Sequence, residues 1–103
     1  GHRALAGMAL VRSGRLYVHA GKNAAAVRVL RTALAELARI GDPHGRFLAH
    51  YWLSVAYAEL GDHDRARFEA RAASRFSGSV AKRSCPEARD MRAIRVLGRY
   101  DDA

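Results

Sequence analysis

Apolar residues recur every three or four positions along most of the chain, which is the spacing of an amphipathic helix. Glycine or short polar stretches interrupt this pattern at regular intervals. The predicted helices span about 4–20, 23–40, 43–60, 63–76 and 84–97, with the start of a sixth at 99–103. Because the breaks are short, consecutive helices must run antiparallel. The pattern predicts an all-α fold of stacked antiparallel helical hairpins.

Capping signals mark the starts of three of these helices. Asp42 followed by Pro43 is typical of an N-cap and first helical residue. Ser84 and Glu87 have the spacing of a capping box for the fifth helix. Asn23 is the residue expected to cap the second helix.

The chain also repeats itself, in two full copies and one partial copy. Tyr17, Gly21, Ala26 and Ala33 recur 40 positions later as Tyr57, Gly61, Ala66 and Ala73. Tyr57, Leu60, Gly61 and Ala66 correspond, 37 positions on, to Ile94, Leu97, Gly98 and Ala103. Glycine permits a tight turn, alanine lets two helices cross closely, and tyrosine fills the remaining gap. Repetition at this period indicates stacked units that share one core.

Length and composition are those of a single domain over residues 1–103, with half of the residues apolar. No apolar run reaches the length of a membrane span and no secretory signal opens the chain, so no membrane partner is expected. The single Cys85 has no second cysteine to pair with, which favours a cytoplasmic location.

Charge is the second strong signal in the sequence. The formal net charge is +8, and 16 of the 18 basic residues are arginine. An excess of this size favours acidic partners, either protein or nucleic acid. The alternative is a genome with high GC content, whose codons favour arginine and alanine throughout.

The repeated residues resemble the tetratricopeptide repeat, a helix–turn–helix unit of 34 residues. Its copies here would be 7–40, 47–80 and a partial 84–103. The chain departs from the family pattern at three positions. Leu10 and His50 stand where the family usually has an aromatic residue, and Gly78 stands where it usually has a proline. The resemblance implies a right-handed superhelix of hairpins.

A narrower resemblance concerns the spacing of the copies. Residues 41–46 lengthen the period to 40, and a Gly-Asp-Pro restart follows the first hairpin. This is similar to repeats in the sensor regions of large bacterial transcriptional regulators. It implies that the chain is part of a larger regulatory protein.

The resemblance also implies a binding groove, since the first helix of each pair lines the concave side in this family. Transferring those positions gives the candidate partner-binding residues Arg12, Arg15, His19, Tyr51, Trp52, Glu59, Arg89, Arg92 and Arg95. An arginine rim around an aromatic floor suits an extended segment that carries carboxylates and one apolar anchor. The alternative is that Trp52 is buried between neighbouring helices and that the arginines form a solvated face.

No catalytic constellation, metal-ligand spacing or phosphate-binding loop is present in the sequence, so we expect neither enzymatic activity nor a cofactor. The leading hypothesis is a protein-interaction module that binds an acidic or amphipathic peptide, or a partner domain. One alternative is binding of RNA or single-stranded DNA by arginines and stacked aromatics. A second is self-association through an uncovered C-terminal edge formed by Ile94, Leu97 and Tyr100.

Overall fold

A computed structural model describes residues 2–76 and 85–90 of the chain, and this part is all-α. The helices are α1 (His2–His19), α2 (Asn23–Ile40), α3 (Pro43–Glu59), α4 (His63–Phe76) and α5 (Pro86–Asp90). No described helix is both long and apolar enough to cross a membrane. Most of the partial third copy, including Ile94, Leu97 and Tyr100, lies outside the described residues.

Helices α1 to α4 form two antiparallel hairpins that pack on one another. Helix α1 packs along α2 and α3 packs along α4, while α2 joins the hairpins by packing against α3. Helix α1 also contacts α3. These contacts confirm the predicted stack of hairpins, and the right-handed superhelix stays a prediction.

The two hairpin turns have the same backbone geometry, as the repeated glycines predict. Gly21 and Gly61 have φ angles of 77° and 80°, in the left-handed region that favours glycine. The amide of Lys22 donates to the carbonyl of Tyr17 over 2.8 Å, and that of Asp62 donates to the carbonyl of Tyr57 over 3.0 Å. This hydrogen bond runs from the amide of one residue to the carbonyl of the residue five positions earlier. It closes a helix end in the Schellman motif. The two copies therefore share their turn in atomic detail.

The same turn decides where the next helix begins. The residue directly after the glycine of each turn is the N-cap of the next helix. Asp42, which follows Gly41 between α2 and α3, confirms its predicted role because its Oδ1 accepts a hydrogen bond from the amide of Gly45 over 3.0 Å. The prediction for Asn23 was wrong: Lys22 occupies the N-cap without a side-chain cap, and Asn23 is already helical. The Asn23 Oδ1 is buried without a hydrogen-bond partner. Turn length, rather than capping preference, determines this position.

Close contact between α1 and α2 depends on two glycines that lie outside the set of residues repeated 40 positions later. A Cβ atom on Gly14 would lie 2.4 Å from Leu30 Cδ2, and one on Gly7 would lie 2.8 Å from Leu37 Cδ2. The alanines that the pattern did include, Ala26 and Ala33, are fully buried. Both helices therefore supply small residues to the crossing.

Replacing Gly14 with alanine tests this close approach. Although alanine favours a helix by about 0.5–1 kcal/mol over glycine, the clash with Leu30 should lower the free energy of unfolding by about 1–2 kcal/mol net. Urea denaturation monitored by circular dichroism measures this change in the free energy of unfolding. In a Leu30→Ala background the same substitution should cost little. An unchanged or higher midpoint for Gly14→Ala alone would contradict the close approach.

Candidate binding cleft

A cleft of about 330 Å³ opens between α1, α3 and the first residues of α5. A smaller space of about 190 Å³ continues it along α1. We call the two together the α1–α3 cleft. The polar and aromatic residues that line it include Arg12, Arg15, His19, Tyr51, Trp52 and Glu87. Its two long walls are the first helices of the two hairpins.

The structure brings together five of the nine residues that the family resemblance implies for a binding groove. Arg12, Arg15, His19, Tyr51 and Trp52 all line the α1–α3 cleft. Glu59 is exposed at the end of α3, away from it. Arg89 belongs to α5. The positions Arg92 and Arg95 lie outside the described residues.

The aromatic floor of the cleft is largely buried. Tyr51 and Trp52 are 1% and 5% exposed. Their rings meet edge to face with centroids 4.9 Å apart, and the ring of His19 meets Trp52 in the same way at 5.4 Å. The two aromatics therefore belong to the core as well as to the cleft. This agrees with the alternative interpretation, in which Trp52 is buried between neighbouring helices. So little of either side chain is exposed that a ligand could not stack on the face of its ring.

Glu87 reaches across the cleft from α5 to α3. Its Oε1 accepts a hydrogen bond from Trp52 Nε1 over 3.3 Å, and its Oε2 accepts one from the thiol of Cys85 over 3.4 Å. Glu87 as a whole is 8% exposed. The sequence identifies Glu87 only as a helix-capping residue, since its contact with Trp52 joins positions 35 residues apart.

Cys85 directly precedes α5, and Ser84, the residue predicted to cap this helix, lies outside the described residues. Burial raises the pKa of its thiol, and the neighbouring Glu87 carboxylate raises it further. The backbone N–H groups of Ala88 and Glu87 oppose this shift. The thiol therefore stays protonated at neutral pH and is a poor nucleophile.

The rim of the α1–α3 cleft is positive. Arg12 and Arg15 are exposed on successive turns of α1. Within residues 2–76 and 85–90, neither guanidinium forms an ion pair. Among the described lining residues Glu87 is the one acid, and its oxygens already accept from Trp52 and Cys85. Both arginines are thus available to carboxylates that approach from solvent.

A second buried polar contact, which the sequence analysis did not predict, joins α3 to α4. His50 Nδ1 donates to Glu69 Oε2 over 2.6 Å, and both side chains are buried. The imidazole stacks on Phe76 with centroids 5.9 Å apart, and the Arg46 guanidinium lies 4.5 Å from the same ring. This cluster lies between two helices of one hairpin, and its role there is structural.

Comparison with models of known families, with curated proteins and with solved structures found no match to this chain. In the part that the structure describes, no three histidine, cysteine or acidic residues converge in a way that could hold a metal ion. Any functional argument therefore depends on the cleft and on the internal repeat.

Removing the partner of His50 tests the buried pair. The substitution Glu69→Ala leaves a buried imidazole without its acceptor and should lower the free energy of unfolding by about 2–4 kcal/mol. Chemical denaturation measures the loss, and Glu59→Ala, at an exposed position of α3, should change it by less than about 0.5 kcal/mol. Equal effects of the two substitutions would contradict a structural role for the pair.

Alkylation of Cys85 tests its surroundings. Since the thiol is buried and its pKa is raised, iodoacetamide should react at pH 8 at least about tenfold more slowly with the folded chain than with the chain in urea. The rate for the folded chain should keep rising with pH above the range in which an ordinary cysteine has fully ionised. Equal rates at pH 8 would contradict the raised pKa.

Proposed function

We propose that this chain is a non-enzymatic protein-interaction module that binds an acidic or amphipathic peptide, or an acidic partner domain, in the α1–α3 cleft. The observation that carries the proposal is the pair of exposed arginines at positions 12 and 15, which form no ion pair within the described residues and lie beside an apolar floor. Carboxylates of a ligand would form bidentate hydrogen bonds with these guanidinium groups. One apolar side chain would occupy the space against Leu16 and the edge of Trp52.

The size of the cleft supports a peptide over a large cofactor. A volume of about 330 Å³ is at the lower end of the range for pockets that hold small molecules. It accommodates one or two side chains of an extended segment, while the remainder of the segment lies along the rim.

We also propose that the chain is a tetratricopeptide-type repeat from a larger bacterial regulatory protein, located in the cytoplasm. The matching turns at Gly21 and Gly61 and the contact of α1 with α3 support the repeat assignment. The spacing of 40 residues and the Gly-Asp-Pro restart support the narrower assignment.

Binding of nucleic acid is the alternative that the net charge of +8 favours. Exposed arginines do occur on α1, α2 and α4. However, Tyr51 and Trp52, the aromatics proposed to stack on bases, are buried. Without a stacking surface the interaction would depend on phosphates alone and would weaken steeply with salt.

A titration with the peptide acetyl-Glu-Glu-Leu-Glu-amide, followed by the fluorescence of Trp52, tests the proposal. We expect saturable binding that the double substitution Arg12→Glu, Arg15→Glu weakens at least about tenfold, because it replaces two attractive contacts with repulsion. The matched control is Arg28→Glu, Arg75→Glu, which changes the net charge equally at exposed positions outside the cleft.

The control decides what a loss of binding means. If both double variants lose affinity equally, the peptide responds to net charge and the cleft is not the site. If the peptide does not bind and single-stranded RNA binds with a strong dependence on salt, the nucleic-acid alternative replaces the proposal.

A further inference from the structure

Two histidines line the α1–α3 cleft, one in each of its two spaces. His19, the last residue of α1, lines the larger space, and His44, in the first turn of α3, lines the smaller one. Both are exposed, and the ring of His19 meets Trp52 edge to face. His44 is a residue of the cleft that the sequence analysis did not identify.

Each of these histidines shares its space with an arginine. Arg15 lines both spaces, and Arg12 lines the smaller one together with His44. A ligand carboxylate that pairs with either guanidinium group therefore lies in the same space as an imidazole. An imidazole donates one hydrogen bond to a carboxylate when it is neutral, and it adds a full positive charge when it is protonated.

The charge of the cleft depends on the protonation of these two imidazoles. Arg12, Arg15 and Glu87 are the other charged residues of its described lining and give it a net charge of +1. Protonation of both histidines raises this charge to +3. The hydroxyl of Tyr51 and the thiol of Cys85 stay neutral near pH 7, since tyrosine ionises only near pH 10 and burial raises the pKa of the Cys85 thiol.

No described acid pairs with either imidazole. In the part of the chain that the structure describes, neither His19 nor His44 forms an ion pair, whereas His50 pairs with a buried glutamate. The acids that flank α3, Asp42 and Glu59, do not line the cleft. A positive charge gained by His19 or His44 is therefore available to a carboxylate of the ligand.

We propose that His19 and His44 bind the acidic ligand together with Arg12 and Arg15, so that the cleft binds it more tightly as the pH falls from about 8 to about 6. The inference rests on the proposed function, since it concerns the same ligand and the same cleft. Histidine gains its proton in this interval, whereas the carboxylates of a ligand stay ionised down to about pH 5. Because linkage is reciprocal, binding of the ligand near pH 7 takes up protons.

Isothermal titration calorimetry with acetyl-Glu-Glu-Leu-Glu-amide at pH 8 and pH 6, at constant ionic strength, tests the proposal. The peptide is blocked at both ends, so only its glutamates titrate. The affinity of the 103-residue chain should be about fivefold higher at pH 6, the effect of two additional ion pairs at exposed positions. Titrations at pH 7 in two buffers of different ionisation enthalpy should show a net uptake of protons on binding.

Three variants identify the groups that gain the protons. In the double variant His19→Gln, His44→Gln, the affinity should rise less than about twofold between pH 8 and pH 6, because glutamine does not titrate. His63→Gln, at an exposed position of α4 outside the cleft, is the matched control and should keep the fivefold rise. Glu87→Gln should keep the rise as well, since it removes the one acid of the described lining and leaves both histidines in place.

Three outcomes would overturn the proposal while the peptide still binds and the proposed function stands. They are equal affinity of the unmodified chain at the two pH values, an undiminished rise in the double histidine variant, or loss of the rise in Glu87→Gln. The last result would assign the pH response to the carboxylate of Glu87. Absence of binding at both pH values, by a chain that circular dichroism shows to be folded, would overturn the proposed function and this inference together.

Discussion

The burial of α3 on every side is the constraint on which the structure depends. Each residue from Phe47 to Tyr57 is buried, although a helix at a protein surface normally keeps one polar side. Partners from the rest of the chain must therefore surround α3. Helices α1 and α2 cover one side, α4 covers another, and α5 reaches it through Glu87. The α1–α3 cleft is the gap that these coverings leave open.

Features that depend on local sequence were predictable. The turns at Gly21 and Gly61, the capping by Asp42 and the bounds of α4 each follow from a few neighbouring residues. The N-terminus of α2 was mispredicted for an equally local reason, because the glycine turn uses a set number of residues and places Lys22 at the cap whatever its preference. Rules for capping residues describe preferences, whereas the backbone turn determines the register.

Features that depend on distant contacts could not be predicted in the same way. The family resemblance implied that Arg12, Arg15 and Trp52 lie near one another, but it did not indicate the hydrogen bond that joins Trp52 to Glu87, 35 residues away. The pairing of His50 with Glu69 could not be predicted either, because the sequence around a helical histidine does not identify its partner. Helical periodicity identifies the face on which a residue lies, and only packing decides what meets that face.

The contrast between α1 and α3 shows that equivalent helices of a repeat can be covered to different extents. Both helices are first members of their hairpins, and each has apolar residues on more than one side. In α3 these sides meet α1, α2 and α4 within the chain. In α1 the side toward α2 is buried through Gly7 and Gly14, while the side that carries Leu5 and Leu16 is exposed. Equivalent positions of the two hairpins are therefore exposed in α1 and buried in α3, because the packing around each helix, and not the repeated sequence, decides which side chains are covered.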